Sequence, residues 1–329
     1  MQLTKKHSGY LVVSLDLELM WGMRDHRTIK TYGDAVLGGR EAIPHILRLF
    51  DAYGVRATWA TVGLLFFDNR NQVLKHLPEK LPEYHNRRLS PYDDLENIGP
   101  NERADPYHFG RSLIGMIAET PGQEIGTHTF SHYYCLEDGQ TASAFQADME
   151  AAADAARDCG IQLQSIVFPR NQWTKESIDI CREIGISTYR GNPEAAIYRP
   201  MSRSRNKLHV RAMRLADSLV DTGARTSHVL ETSENGVYDI RASRFLRPSM
   251  PMAIGHDHLR LRRILNEMEE AARNKKLYHL WWHPHNFGRN TARNLVDLES
   301  ILRHFRKLSE SYDMQAAHMA DIGEMGLSA

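Results

Sequence analysis

Short runs of β-branched and aromatic residues alternate with longer amphipathic stretches along this chain, and that alternation limits the fold more than any other feature. The strand candidates are 10–19, 55–62, 123–127, 165–169, 186–190, 237–245 and 277–282. Between them, helical periodicity marks 41–53, 64–77, 110–119, 141–159, 174–184, 207–220, 258–275 and 295–312, and Gly54, Gly160 and Gly185 stand where three of these should stop. Strands that alternate with helices predict a parallel sheet with helical crossovers. About seven such units in 329 residues suit a closed barrel better than two small domains. The expected fold is therefore α/β, a distorted (β/α)7-type TIM-like barrel forming one domain over 1–329. Two irregular stretches, 78–106 and 192–251, read as insertions.

Composition excludes several classes. Apolar residues make up 42% and charged residues 25%, as in an ordinary globular domain. Lys+Arg and Asp+Glu both total 41, so there is no basic surplus of the kind nucleic-acid binding needs. The opening apolar run, LVVSL, is too short for an export signal, and no stretch approaches a membrane span. Three cysteines without paired spacing argue against a disulfide framework. A cytoplasmic, reducing compartment is the expectation.

Barrel enzymes place their chemistry where strands end and loops begin. At those positions the chain has Asp16 and Glu18, then His128 and His132, then Pro169-Arg170-Asn171, and finally Trp282-His283-Pro284-His285. Asp16 and Glu18 are two apart on a strand and share one face, and burying two acids there calls for a cation or another partner. His128 and His132 are four apart, the spacing by which one helical turn presents two imidazoles to a single ion. The same spacing in His279 and His283 falls within a strand, where four residues span roughly 13 Å, too far for shared coordination. Pro284 ends that last strand and leaves His283 on the rim. The cluster His256-Asp257-His258 follows Gly255 and reads as a helix start capped by its aspartate.

These segments together resemble the polysaccharide deacetylase (NodB-homology, carbohydrate esterase family 4) superfamily. SLDLE is similar to that family's first motif, ATWATVG to its second strand, EIGTHTFSH to its His-x-x-x-His metal motif, VFPRNQ to its arginine–proline motif and LWWHP to its last motif. The motifs occur in family order from Leu11 to Pro284. Two departures stand out: an Asp-x-Glu spacing replaces adjacent aspartates, and the arginine follows its proline.

The resemblance implies a metal-dependent hydrolase that removes the N-acetyl group from an amino sugar in a polysaccharide or its intracellular precursor. It implies a divalent ion, Zn²⁺ foremost, on Glu18, His128 and His132. Asp16 would be the general base, with Arg170 holding it in place. His283 would be the acid, with His285 as the alternative, and Asn171 and Trp282 would contact the carbohydrate. Two other readings remain open: hydrolysis of a small cyclic or formyl amide on the same scaffold, and a carbohydrate-binding relative without catalysis.

Overall fold

In the computed structural model, residues 8–202, 208–219, 226–229, 236–249 and 255–327 are described. Strand β1 (Tyr10–Leu17) is buried along almost its whole length, as expected of a central strand covered on both faces. It pairs in parallel with β2 (Ala57–Thr61) on one side. The sheet continues in the same sense through β3 (Gln123–Thr127), β4 (Ser165–Ile166), β5 (Thr188–Tyr189) and β6 (Tyr238–Asp239). After β7 (Arg244–Phe245) comes β8 (Leu277–Trp282), which pairs with β7 and with the other edge of β1.

Strands β6 and β7 belong to one extended segment that joins the two edges of this sheet. Ala242 N–H donates to Gly191 O (2.9 Å) beyond β5, and the next residue, Ser243, donates its N–H to His279 O (2.8 Å) in β8. The ring therefore closes with seven staves, as the strand expected over 237–245 requires. A further strand, β9 (Gln315–Ala317), was not foreseen. It pairs with Tyr10–Val12, below the residues of β1 that β2 occupies.

Among the described residues the helices follow the expected periodicity with two instructive exceptions, and one further helix, Met319–Leu327, was not expected. Helix α1 (Ile29–Tyr53) stops at Gly54 (φ 64°) as expected but begins a dozen residues earlier, running through Gly38, Gly39 and Pro44. The two glycines read as helix breakers, yet a Cβ on Gly39 would lie 2.6 Å from His285 Cα and one on Gly38 would lie 2.2 Å from Gly288 O. They are small because the turn after β8 packs directly on this helix, and that packing outweighs weak local propensity. The single helix expected over 64–77 is a 3₁₀ turn (Gly63–Phe66) followed by α2 (Arg70–Lys75), because the Asn69 side chain caps a new start by accepting from Gln72 N–H (3.0 Å).

The remaining helices are α3 (Arg111–Glu119), α4 (Ala142–Arg157), α5 (Lys175–Glu183), α6 (Leu208–Asp217), α7 (His256–Arg273), α8 (Thr291–Tyr312) and α9 (Met319–Leu327). The cap expected of Asp257 is not made: α7 begins one residue earlier behind Gly255, with no side-chain cap, and Asp257 in its first turn accepts from Ser249 Oγ and faces Arg260. No described helix is long and apolar enough to cross a membrane.

Candidate metal centre and active site

The C-terminal ends of the strands carry the cluster. Ser14, Asp16 and Glu18 alternate inward along β1, and all three are buried. Glu18 Oε2 lies 3.0 Å from His132 Nε2 and 3.4 Å from His128 Nε2. One ligand atom from each of these three residues lies within 4.8 Å of the others. The histidines are not on a helical turn as expected. They stand on the loop after β3, where left-handed backbone at Thr129 (φ 62°) and His132 (φ 61°) folds the chain until the two rings are 4.9 Å apart.

The donor set fits a divalent cation. His128 Nδ1–H donates to Val167 O (2.7 Å), and His132 Nδ1 meets the Tyr134 hydroxyl (3.0 Å), so each ring turns Nε2 toward Glu18. Burial holds His132 neutral, with its pKa lowered to about 4 even though Glu18 opposes the shift. Burial also works against ionised Glu18, but His283 and the bonds from His128 and His132 outweigh it and hold its carboxyl well below the usual range. Its ion-pair partners among the described residues are four histidines, with no lysine or arginine. A buried carboxylate with no lysine or arginine beside it lacks a fixed compensating charge, which is what a metal ion supplies.

Asp16 meets a different partner. Arg190, from the end of β5, grips it with two parallel bonds, Nη1 to Oδ1 (2.7 Å) and Nη2 to Oδ2 (2.8 Å). The same guanidinium donates to Ser14 Oγ (3.0 Å) and Asn171 Oδ1 (3.2 Å) and lies 4.0 Å above the Trp281 ring. Burial opposes ionisation of Asp16, but Arg190, His283 and His128 together lower its pKa. This corrects the expectation for Arg170, whose guanidinium turns to Asp25 and stacks 4.1 Å from the Tyr134 ring. Left-handed backbone at Arg170 (φ 56°) and Asn171 (φ 53°) aims Asn171 inward and Arg170 away.

His283 closes the cluster, with Nε2 3.5 Å from Asp16 Oδ2 and 3.7 Å from Glu18 Oε1. Its Nδ1 faces Asn286 Oδ1 (3.2 Å), which leaves Nε2 for the site. His285 stacks on it at 4.9 Å and is buried, with burial lowering its pKa to about 3. Trp282 does not join them. Strand alternation turns it outward, where it is fully buried, stacked on Phe287 and edge-on to Phe50. Trp281 and Phe245 flank His283 instead, each with its ring centroid 5.8 Å away.

Residues 25–189 match the polysaccharide deacetylase family. The chain belongs to that family. The match begins after Asp16 and Glu18 and ends before His283. Solved structures with the same fold include a protein from Mycobacterium smegmatis assigned as a polysaccharide deacetylase (13% identity, 98% of this chain and 92% of that one, TM-score 0.62). Others are Puue allantoinase (10% identity, 99% and 92%, TM-score 0.60) and a polysaccharide deacetylase assignment from Pseudomonas aeruginosa PAO1 (10% identity, 97% and 91%, TM-score 0.56). At these identities the likeness is one of fold. No curated protein matches the chain.

Two supports of this deacetylase-family site escaped the sequence reading. Arg190 is one. Asp148, buried on α4, is the other: it accepts from the backbone N–H of Phe130 (2.7 Å) and of Ser131 (3.2 Å) and from Ser131 Oγ, tying down the histidine loop. Its signal was an acid on the apolar face of a helix. The stretch 78–106, read as an insertion, braces the same loop through the Tyr84 hydroxyl, which accepts from Tyr134 N–H (2.8 Å). Described residues of the stretch 192–251, among them Tyr198, Arg214 and Phe245, line a cavity beside His283.

Proposed function

We propose that this chain is a metal-dependent hydrolase that removes the N-acetyl group from an amino sugar. The observation that carries the reading is the buried Glu18 carboxylate facing two imidazoles whose outer nitrogens already have partners. Glu18, His128 and His132 would hold a divalent cation, and Zn²⁺ suits a set of two imidazoles and one carboxylate. When bound, such an ion polarises an acyl carbonyl and lowers the pKa of water.

The chain's own residues perform the proton transfers. Asp16, ionised and oriented by Arg190, accepts the proton of the attacking water through a lone pair that Arg190 leaves free. The water oxygen bonds to the acyl carbon as the carbon–nitrogen bond breaks. His283, oriented by Asn286, gives a proton to the departing nitrogen. The products are acetate and a free amine. Asn171, beside Arg190 and the cavity, would contact the sugar, and Trp281 would make the carbohydrate contact expected of Trp282.

The test is acetate release from a panel of N-acetylated amino sugars by Zn²⁺-loaded protein. Acetate and primary amine should appear in equal amounts and vanish in His128→Ala. Ring-opening of a small cyclic amide without any acetate release would replace this substrate class. Unchanged turnover in His128→Ala would remove the metal mechanism.

A further inference from the structure

A cavity of about 570 Å³ opens beside His283. Its lining includes Trp281, Phe245 and Asn171 and a wall of three arginines, Arg199, Arg214 and Arg247. The cavity is continuous with the active site, since Trp281 and Phe245 both touch the His283 ring. The volume falls within the usual range for small-molecule sites.

The charge on this wall is unusual for its setting. Two other arginines at this cavity are neutralised: Arg170 by Asp25, and Arg244 by Asp217 and Glu267. Arg214 and Arg247 have no carboxylate among the described residues. Arg214 donates to Ile197 O (2.7 Å) and rests near Met201 Sδ (3.9 Å). Arg247 donates to Arg214 O (3.4 Å) and lies over Phe245 (5.8 Å), while its buried Nε has no partner. Burial lowers the pKa of both, a sign that each charge is held at a cost. Arg199 is exposed at the rim. The chain carries 41 basic and 41 acidic residues, so this wall does not reflect a generally basic surface.

Uncompensated guanidinium groups in a concave wall are offset most directly by a bound anion, and the fork of an arginine matches an oxyanion. We propose that this wall binds a phosphoryl group, making the substrate a phosphorylated N-acylamino sugar. The sugar would lie against Trp281 and Phe245, with its acyl group toward Glu18 and its phosphate or diphosphate toward Arg214, Arg247 and Arg199. Three positive charges, two of them without acids, suit a phosphoryl dianion better than a single carboxylate. The inference deepens the hydrolase reading and rests on it for the placement of the acyl group.

The test has two arms. In the first, inorganic pyrophosphate is titrated calorimetrically into chelator-stripped protein, so no cation can bind it. Binding should weaken about tenfold in Arg214→Gln and in Arg247→Gln, and less in the exposed Arg199→Gln, which guards against misfolding of the inner variants. Malonate should bind more weakly than pyrophosphate. Equal pyrophosphate binding by the wild type and the Arg214→Gln/Arg247→Gln double variant overturns the site, and tighter malonate binding overturns the phosphoryl assignment.

In the second arm, acetate release is compared between N-acetylglucosamine 1-phosphate and N-acetylglucosamine. The preference in kcat/KM for the phosphorylated sugar should fall about tenfold in Arg247→Gln. No preference in the wild type overturns the proposal and leaves the hydrolase intact. Arginine-dependent pyrophosphate binding without acetate from either sugar supports the anion site and counts against the hydrolase.

Discussion

Replacing Arg190 by glutamine should destabilise this protein markedly, because Asp16 would be left buried and charged. The two contacts, at 2.7 and 2.8 Å, place the charge centres roughly 4 Å apart, worth about 4 kcal/mol at an effective dielectric near 20. Stripping one member from a buried pair costs about 3–5 kcal/mol in comparable cases. A double-mutant cycle of Asp16→Asn with Arg190→Gln, followed by urea denaturation, isolates the interaction. The two changes should couple by about 2–4 kcal/mol, since the double variant leaves neither charge alone. The same cycle with Arg170→Gln should be additive within about 0.5 kcal/mol, because Arg170 is committed to Asp25 and Tyr134. In turnover, Arg190→Gln should lower kcat/KM by about a hundredfold or more in wild-type background and do little once Asp16 is asparagine. Additivity at Arg190, or coupling at Arg170, would refute the geometry on which the mechanism depends.

Other consequences follow from the same contacts. A Cβ at Gly22 would lie 2.1 Å from the Glu18 carboxyl carbon, so Gly22→Ala should weaken metal affinity about 10–100-fold, by equilibrium dialysis, while circular dichroism stays native. His132, His279 and His285 are neutral when buried, with pKa values lowered to about 4, 3 and 3. A base depressed by folding stabilises the native state above its unfolded pKa of about 6.5 and loses that contribution as pH falls, about 2 kcal/mol each by pH 5. Buried Asp148, raised to about 6, acts in the opposite sense. The urea midpoint should therefore drop between pH 7 and pH 5, and drop further in Asp148→Asn; a flat profile contradicts the neutral imidazoles. Trp282→Ala should cost about 3–5 kcal/mol of stability, and Trp281→Ala should chiefly raise KM, a split that steady-state kinetics and denaturation resolve.

Much of this was legible before any coordinates. Seven strands were readable because parallel strands buried on both faces leave short apolar runs. The inward acids of β1 followed from a period of two. His128 and His132 were found by spacing, although the reason given was wrong: strained loop backbone brings them together where a helical turn was expected. Arg190 was missed although the strand over 186–190 was read, because no family motif covers it and the arginine–proline segment supplied Arg170 for the role. Its position was the clue, since it ends a strand as Asp16 and His283 do. Trp282 was chosen over Trp281 against the same alternation that pointed His283 inward. Gly38 and Gly39 hid the start of α1 because tertiary packing against the turn at His285 decides there, and local propensity does not.

Metal analysis of purified, Zn²⁺-equilibrated protein decides whether Glu18, His128 and His132 hold one cation together. About one ion per wild-type chain is expected, and none retained after dialysis by Glu18→Gln or His128→Ala, both still folded by circular dichroism. Full occupancy in either variant, or a wild-type protein that takes up no ion, would contradict that shared site.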